Sequence, residues 1–331
     1  MNPLVKQILG GLVRRLPCVL AAGLLAMTAG AACAQDAFPG KQPVELVVIF
    51  PAGSSADVSA RVLAEGIAEN LGTPVPVSNK PGAGGAIGYK YVAATKPDGH
   101  TLVWNSNSVS TTFHGGMMDI DYKAFDPVAR ATIEIPAVVV QASSPWLTLQ
   151  DLIDYARTHP GTLKVGNSGV GSHTHMAAVS LFDATSTSAL HVPFGAAQVV
   201  TSLLGGHIDV AVQLPGAVVP HVKSGALRVL AVLGSKRDPV FPDVPTAQEQ
   251  NVNVAPMDLW RGVAVAKGTP KATIVRLENA VEAALNRPEF VTAGQKFGFL
   301  PAFLPADEFA QVIERDDDMI ARQMKTLGLK K

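Results

Sequence analysis

The chain has 331 residues with 27 basic and 27 acidic side chains, two cysteines and 47% hydrophobic residues. A neutral charge balance gives no electrostatic footprint for nucleic acid, so we exclude that class of partner. Two cysteines are too few for a disulfide-stabilised scaffold, which leaves a fold that depends on its hydrophobic core. A length of about 300 residues is typical of two domains of ordinary size.

The first 34 residues have the pattern of a secretory signal peptide. Three basic residues precede an apolar run over 16–31, and Ala32-Cys33-Ala34 fits a cleavage site between small residues. That run is short for a transmembrane helix, and no later run reaches the roughly 18 residues that one needs. We therefore expect cleavage after Ala34 and export to the periplasm. A lipoprotein acylated at Cys33 is the alternative.

Cleavage there would remove both cysteines, Cys18 and Cys33, and leave a mature chain of 297 residues. Loss of Lys6, Arg14 and Arg15 would leave 24 basic against 27 acidic side chains, a net charge of −3. The mature protein is then expected to have no thiol, no disulfide and no cysteine-ligated metal.

Short strand-like and helix-like segments alternate through most of the remaining sequence. Such alternation, with valine-rich strands, predicts parallel sheets covered by helices on both faces. The strands exceed what one doubly wound sheet would hold, so two α/β lobes are expected. The predicted strands are Val44–Phe50, Val75–Ser78, Thr101–Asn105, Ala137–Gln141, Leu163–Val165, Ala189–Val192, Ile208–Gln213 and Leu227–Leu233.

Three predicted helices have recognisable ends. The segment Thr148–Asp151 is a capping box, and Thr269-Pro270 predicts an N-cap followed by a first-turn proline. A long final helix is predicted from Asp307, with Gly328 as its stop signal. Its apolar residues at helical spacing are Phe309, Val312, Ile313, Met319, Ile320 and Leu327.

Two segments share the order strand, Gly/Ser-rich turn, helix, and we call their turns the first elbow (residues 51–55) and the second elbow (residues 166–172). The first continues into helix-like sequence near Asp57, and the second continues into His173. Free N–H groups at a helix start, together with nearby hydroxyls, favour an anion. Two such elbows predict one small anionic ligand that neutral donors, rather than basic residues, hold from two sides.

The sequence also predicts roles for individual residues in and near the elbows. Ser54 is expected to cap its helix with Asp57 completing the capping box, while Gly53 lets a ligand approach the backbone. His173 is expected to donate a hydrogen bond at the cleft. Side chains two positions apart on a helix diverge, so His173 and His175 are not expected to bind a metal.

Two further polar segments follow predicted strands. Asn79–Gly85 is expected to form a tight left-handed turn that fixes the packing of a lobe. Asn105–Ser108 lies at the carboxyl end of a strand, where α/β folds bind their ligands, so it is a candidate wall of the cleft. The sequence contains no Walker A loop, dinucleotide fingerprint or Gly-x-Ser-x-Gly motif, and nothing in it indicates an enzyme.

The order and spacing of several motifs resemble those of the Bug-type receptors, the extracytoplasmic solute-binding proteins of tripartite tricarboxylate transporters. The likeness covers essentially the whole mature chain. It is carried by Phe50–Asp57, Asn79–Gly85, Pro97–Leu102, His159–Gly161, Leu203–Val210, Pro242–Thr246 and Gly268–Pro270. The resemblance implies an α/β fold of the Venus-flytrap type, with the ligand cleft between two lobes. We place the first lobe at 35–138 plus 259–331 and the second at 139–258.

The resemblance also implies capture of a carboxylated organic solute without covalent chemistry, followed by recognition of the closed form by membrane permease subunits. In the family, backbone amides, hydroxyls and bridging waters of both elbows hold one carboxylate. We expect no cofactor, no metal and a monomeric protein. The expected ligand-binding residues are Phe50, Gly53, Ser54, Ser55, Asn105, Asn107, Ser168, Gly169, Gly171, Ser172, His173, Phe194, Gln213 and Trp260.

The chain departs from the family pattern at one rim of the cleft. The family often reads Val-Pro-Tyr-Lys-Gly-Gly where this chain has Phe194-Gly195 after Val192-Pro193, so a tyrosine hydroxyl and a lysine are missing. Trp104 and Arg261 are also unusual. We therefore expect a more apolar or aromatic acid than a tricarboxylate. Two alternatives remain: a receptor that docks on a periplasmic sensor-kinase domain, and a periplasmic hydrolase.

Overall fold

The computed structural model describes residues 38–194, 196–326 and 328–329. The predicted signal peptide and both cysteines lie outside these ranges, as do Gly195 and Leu327. Residues 1–40 form one unit, of which only a turn over 38–40 is described, and residues 41–331 form the other. Within the described ranges, no helix has the length and apolarity that crossing a bilayer requires.

A six-stranded mixed sheet forms the core of the first lobe. Its strand order is β11-β4-β10-β3-β1-β2. β1 is parallel to β2 and β3, while β10, β4 and β11 pair antiparallel. The strands are β1 (Glu45–Val48), β2 (Val77–Asn79), β3 (Thr101–Ser106), β4 (Phe125–Glu134), β10 (Leu259–Ala266) and β11 (Leu300–Pro305).

A five-stranded sheet forms the core of the second lobe, in the order β7-β6-β8-β5-β9. β6 is parallel to β7 and β8, while β5 is antiparallel to β8 and β9. Its strands are β5 (Ala137–Gln141), β6 (Lys164–Asn167), β7 (Leu190–Pro193), β8 (Val210–Gln213) and β9 (Leu227–Val232). The bounds predicted for β5 are confirmed to the residue.

The sequence predicts parallel sheets, but both sheets are mixed, so that prediction is wrong. The list of predicted strands also lacks β4, β10 and β11. Prolines in β4 and β11 argue against strands in the sequence, because proline cannot donate a ladder hydrogen bond. β10 is buried along its whole length, so it lacks the alternation that identifies a half-buried strand. In all three, the partner strands decide the structure.

Ten α-helices cover the sheets within the described ranges. The capping box at Thr148–Asp151 is confirmed, with both reciprocal hydrogen bonds present. The predicted N-cap at Thr269 is wrong: Pro270 holds that position and Thr269 donates its hydroxyl to Ala266 O (2.8 Å). The helices are α1 (Ser55–Leu71), α2 (Ala86–Ala93), α3 (Ser108–His114), α4 (Leu149–Thr158), α5 (His173–Ala184), α6 (Ala196–Leu204), α7 (Pro215–Lys223), α8 (Lys271–Leu285), α9 (Pro288–Phe297) and α10 (Ala306–Thr326).

The loop Asn79–Gly85 is a left-handed turn, as predicted, with φ of +131° at Gly82 and +108° at Gly85. A side chain at Gly85 would place its Cβ 2.8 Å from Ile49 Cδ1, just beyond β1, so the isoleucine would also have to shift. The Thr112 hydroxyl donates to Gly84 O (2.8 Å) and ties the turn to α3. The turn thus shapes the edge of the first lobe.

Among the residues that the structure describes, three segments join the lobes. The chain passes to the second sheet between Glu134 and Ala137 and returns between Val232 and Leu259. α10 starts one residue before the predicted Asp307, and it packs Phe309 and Ile313 into the core of the first lobe and Ile320 and Met324 into that of the second. The residue-level lobe boundaries proposed from the sequence stay a prediction.

Candidate functional site

The first elbow connects β1 to α1 with a capped helix start. Ser54 is the N-cap, and its Oγ accepts from the N–H of Asp57 (3.3 Å), as the sequence predicts. The Asp57 carboxylate accepts from the N–H of Gly53 (2.8 Å), one residue before the position of a regular capping box. Gly53 has φ +80° and open space at the position of a Cβ, so its surface is accessible although its N–H is already bound.

Asp57 anchors this elbow to the neighbouring strand. It accepts from Asn79 Nδ2 (2.9 Å) and Arg61 Nε (3.1 Å), and Asn79 also donates to Phe50 O (3.0 Å). Burial alone would raise the pKa of Asp57, but hydrogen bonds from Arg61, Gly53 and Asn79 outweigh it and hold the pKa below its usual value. Asp57 therefore serves as an ionised structural anchor.

A buried ion pair lies behind the first elbow. Arg261 Nε donates to Glu134 Oε1 (2.9 Å), and Arg261 Nη2 donates to Ser55 Oγ (3.3 Å). The Arg261 side chain is 7% exposed and that of Glu134 is 2% exposed. The half-buried ring of Phe50 lies 5.8 Å from the guanidinium carbon. The sequence marks Arg261 as unusual, but it carries no signal for Glu134, which is 127 positions away.

The second elbow binds most of its own amides, and its first two residues, predicted to lie in the turn, extend β6 to Asn167. Ser172 caps α5 through a hydrogen bond from the N–H of His175 (3.2 Å). The remaining bonds are made by the N–H groups of Ser168 to Thr174 Oγ1 (2.9 Å), Gly169 to Asn167 Oδ1 (3.1 Å), Gly171 to His175 Nδ1 (3.0 Å) and Ser172 to Gly169 O (3.1 Å). Contact with a ligand through these four amides would require the elbow to rearrange.

Three other predicted site residues adjoin the second elbow. Gln213, buried at the end of β8, donates its amide to Ser168 Oγ (2.9 Å), and Phe194 N–H donates to Asn167 O (3.0 Å). His173 donates from Nε2 to Met257 O (2.6 Å), because a carbonyl can only accept. Burial lowers the pKa of His173 to about 4, which keeps the ring neutral.

Four elbow serines share one hydrogen-bonding property: each Oγ accepts from a group that can only donate. The donors are the N–H of Asp57 for Ser54, Arg261 for Ser55, the amide of Gln213 for Ser168 and the N–H of His175 for Ser172. Each hydroxyl therefore keeps its own hydrogen for another acceptor. Ser172 has Thr174 Oγ1 within 3.2 Å. In the described part of the chain, the other three have no protein acceptor.

Residues at or just before the start of β10 contact both elbow regions. Arg261 contacts Ser55 of the first elbow, and Met257 contacts His173 beside the second. Met257 and Arg261 are four residues apart, a span of at most roughly 14 Å. Both elbows thus adjoin the strand that returns from the second lobe, as a cleft between the lobes requires.

Asn107 and Trp260 lie in the interior rather than on an elbow. Asn107 accepts from the N–H of Trp260 (3.1 Å) and donates to Asp316 (3.1 Å). The indole N–H of Trp260 also donates to Asp316 (2.8 Å), and its ring packs edge-on against Phe309 with centroids 5.0 Å apart. These contacts join β10 to α10, so both residues have a packing role in this structure.

Asn105 is likewise buried and engaged by protein. Its Oδ1 accepts from the hydroxyl of Tyr89 (2.9 Å) and from the N–H of Ser106 (2.8 Å). It lines a cavity of about 360 Å³ in the first lobe, together with Phe125 and Ile313, that no elbow residue lines. Trp104 is buried as well, at 1% exposure. No cluster of three or more potential metal ligands occurs in the described ranges.

Comparison with known proteins identifies a family to which the chain is similar. Residues 59–329 match the tripartite tricarboxylate transporter family receptor. The protein BugT of Bordetella pertussis is 32% identical over 318 residues, which cover 93% of this chain and 96% of BugT. A Cupriavidus necator protein, the UPF0065 protein in the gbd 5' region, is 32% identical over 313 residues, covering 94% of both chains.

Solved structures share the architecture. A TctC solute-binding protein from Polaromonas, without ligand, superposes with a TM-score of 0.78 at 33% identity, covering 87% of this chain and 99% of that one. The MatC protein of Rhodopseudomonas palustris with bound malate gives 0.71 at 27% identity, covering 86% and 99%. A second R. palustris protein, with adipate, gives 0.76 at 27% identity, covering 88% and 98%. These matches confirm the predicted solute-binding fold, and the chain belongs to the receptor family of the tripartite tricarboxylate transporters.

Proposed function

We propose that the protein captures a small carboxylated organic acid in the periplasm and presents it to the membrane permease subunits of a tripartite tricarboxylate-type transporter. The observation that supports this most is the direction of the elbow hydroxyls. Ser54, Ser55 and Ser168 each have a hydrogen to donate, and a carboxylate is an acceptor-only group. Two structural neighbours hold malate and adipate, which are both carboxylic acids.

The expected strength of such a site is sufficient for a receptor. Hydrogen bonds to a charged group contribute about 1.5–3 kcal/mol each. The starts of α1 and α5 add roughly 0.3–2 kcal/mol each. After the cost of lobe closure, these terms support micromolar binding, which corresponds to about −8 kcal/mol.

Binding without covalent chemistry is part of the proposal. A nucleophilic serine needs an adjacent base, and the two histidines near the second elbow are engaged elsewhere. His173 Nε2 is bound to Met257 O, and His175 Nδ1 accepts from the N–H of Gly171. We also propose that the mature protein starts after Ala34 and acts as a monomer.

The proposed contacts fall on the two elbows and their neighbours. The hydroxyls donate to the carboxylate, and the glycines allow it to approach the backbone. Phe50 and Phe194 supply apolar surface for the body of the ligand. The proposed set is Phe50, Gly53, Ser54, Ser55, Ser168, Gly169, Gly171, Ser172, Phe194 and Gln213, together with His173 as a packing neighbour, because its ring N–H is bound to Met257 O.

A screen of carboxylates should raise the thermal unfolding temperature of the protein. At 100 times the Kd, a ligand specific to the native state stabilises by about 2.7 kcal/mol, which is a shift of several degrees. We expect benzoate, branched monocarboxylates or adipate to give a larger shift than citrate, with uncharged benzamide as the control. No shift with any carboxylate would refute the proposal, and a largest shift with citrate would refute the apolar pocket.

Single serine replacements test the hydroxyl argument. Ser54→Ala, Ser55→Ala and Ser168→Ala should each weaken binding of the best acid about tenfold or more, since each removes one charge-assisted donor. Isothermal titration calorimetry measures the Kd values. Ser144→Ala is the matched control, because that hydroxyl also accepts from a backbone N–H, that of Trp146, in a loop before α4. Unchanged affinity in all three elbow variants would contradict the site.

A further inference from the structure

We infer that Arg261 is a positioning residue for ligand binding and that, balanced by Glu134, it sets the preference of the first elbow for an anionic group. This inference rests on the proposed function, because it concerns the same carboxylate. It refines the expectation that neutral donors alone hold the anion. The ligand contacts the Ser55 hydroxyl, and the positive charge of Arg261 lies behind that hydroxyl.

Arg261 is held in a fixed position by the sheet. Its Cα pairs with Ser106 on β3 and with Thr132 on β4, in the middle of the first sheet. The side chain is 7% exposed and reaches Glu134 on one side and Ser55 on the other. A buried guanidinium without a partner would be very unfavourable, so Glu134 is what permits a positive charge at this depth.

The contact with Arg261 orients the Ser55 hydroxyl. A guanidinium can only donate, so Ser55 Oγ is the acceptor and the hydroxyl hydrogen is left for a group on the solvent side. Ser55 is exposed at the start of α1, so a ligand can reach this hydrogen. A hydroxyl that accepts from a cation becomes a stronger donor, because hydrogen bonds in a chain polarise one another.

The charge of Arg261 also reaches the second elbow. Burial is the main reason that the pKa of His173 is lowered to about 4, and the positive charge of Arg261 lowers it further. A neutral His173 does not compete with Arg261 for an anion.

Two explanations of the Arg261–Glu134 pair predict opposite results. If the pair only stabilises the fold, removal of either partner should weaken binding or leave it unchanged. If Arg261 supplies the anion preference, removal of Glu134 unmasks the positive charge and should strengthen binding of an acid. The sign of the Glu134 effect therefore separates a structural role from the positioning role.

The test is calorimetric titration of benzoate and adipate into wild-type protein, Arg261→Gln, Glu134→Gln and the double variant. We expect Arg261→Gln to weaken binding about tenfold or more and Glu134→Gln to strengthen it about threefold or more. Uncharged benzamide should bind Glu134→Gln no better than wild type. Thermal unfolding confirms that each variant is folded. The double variant buries no unpaired charge, so it serves if a single variant fails to fold: it should lose about tenfold in affinity for benzoate but not for benzamide, and an unchanged Kd for benzoate overturns the inference.

A second, more exposed ion pair away from the elbows provides the control. Arg287 bonds Glu69 (2.9 Å) near the far end of α1, and Glu69 is 14 residues from Ser55, or roughly 21 Å along the helix. Arg287→Gln and Glu69→Gln should leave both Kd values within twofold of wild type. If wild-type protein binds neither acid, the proposed function and this inference both fail. If wild type binds but Arg261→Gln binds equally well, or folded Glu134→Gln binds the acids no more tightly than wild type, the inference alone is overturned.

Discussion

Replacing Trp260 by alanine is expected to lower the free energy of unfolding by about 3–5 kcal/mol, the usual cost of removing a large buried aromatic side chain. Trp260 is 2% exposed and packs edge-on against Phe309 of α10. Its indole N–H donates to the buried carboxylate of Asp316, which also accepts from Asn107. The substitution removes ring volume and one donor at the junction of β10 and α10.

Trp260→Phe separates these two contributions. It retains most of the apolar volume but leaves Asp316 short of one donor, so we expect a loss of about 1–3 kcal/mol. Urea unfolding followed by circular dichroism measures both variants. Because the ring lies in the core, Trp260→Phe should change the Kd for benzoate by less than threefold. A collapse of affinity with stability retained would instead place Trp260 at the ligand, as the family resemblance suggests.

Replacing Asp258 by asparagine is expected to stabilise the protein at neutral pH by about 2–3 kcal/mol and to have little effect near pH 4. Asp258 precedes β10, and within the described part of the chain its buried Oδ1 has no hydrogen-bond partner. Burial raises the pKa of Asp258 to about 6; Arg130 and Lys236 counteract this, while Asp316 and Asp238 add to it.

The sign of this pH dependence follows from the linkage between protonation and folding. An ordinary aspartate has a pKa of about 3.9, so between pH 4 and pH 6 the unfolded chain is ionised while the folded chain retains the proton. The contribution of Asp258 to stability is therefore largest below about pH 4 and is lost as the pH rises to about 6. Asparagine resembles the protonated form, so its advantage should appear over this interval.

Unfolding in urea at several pH values from 4 to 8 tests this expectation. The measured quantity is the difference in unfolding free energy between Asp258→Asn and wild type, in which the carboxyl groups that do not interact with Asp258 cancel. Asp119→Asn is the control, since Asp119 is an exposed carboxylate paired with Lys90, and that ion pair holds its pKa below the usual value. Its difference should not rise with pH. A difference for Asp258→Asn that is constant from pH 4 to pH 8 would contradict the raised pKa.

Several local features were predictable from the sequence because their hydrogen bonds join residues close in the chain. The cap of Ser54 and the capping box at Thr148–Asp151 each span four residues. The left-handed turn before α2 follows from its run of glycines. The position of both elbows after strands β1 and β6 could be predicted for the same reason.

Contacts between distant parts of the chain were decided by the tertiary structure alone. Nothing near Arg261 in the sequence indicates Glu134, because the pair forms only when β4 and β10 become neighbours. A buried run such as β10 has the same composition in a parallel or an antiparallel sheet, so its direction depends on its partners. Trp260 likewise has the same sequence signature in a pocket as in a core. Local hydrogen bonding thus determined where the elbows begin, whereas the pairing of distant strands determined which charge lies behind them.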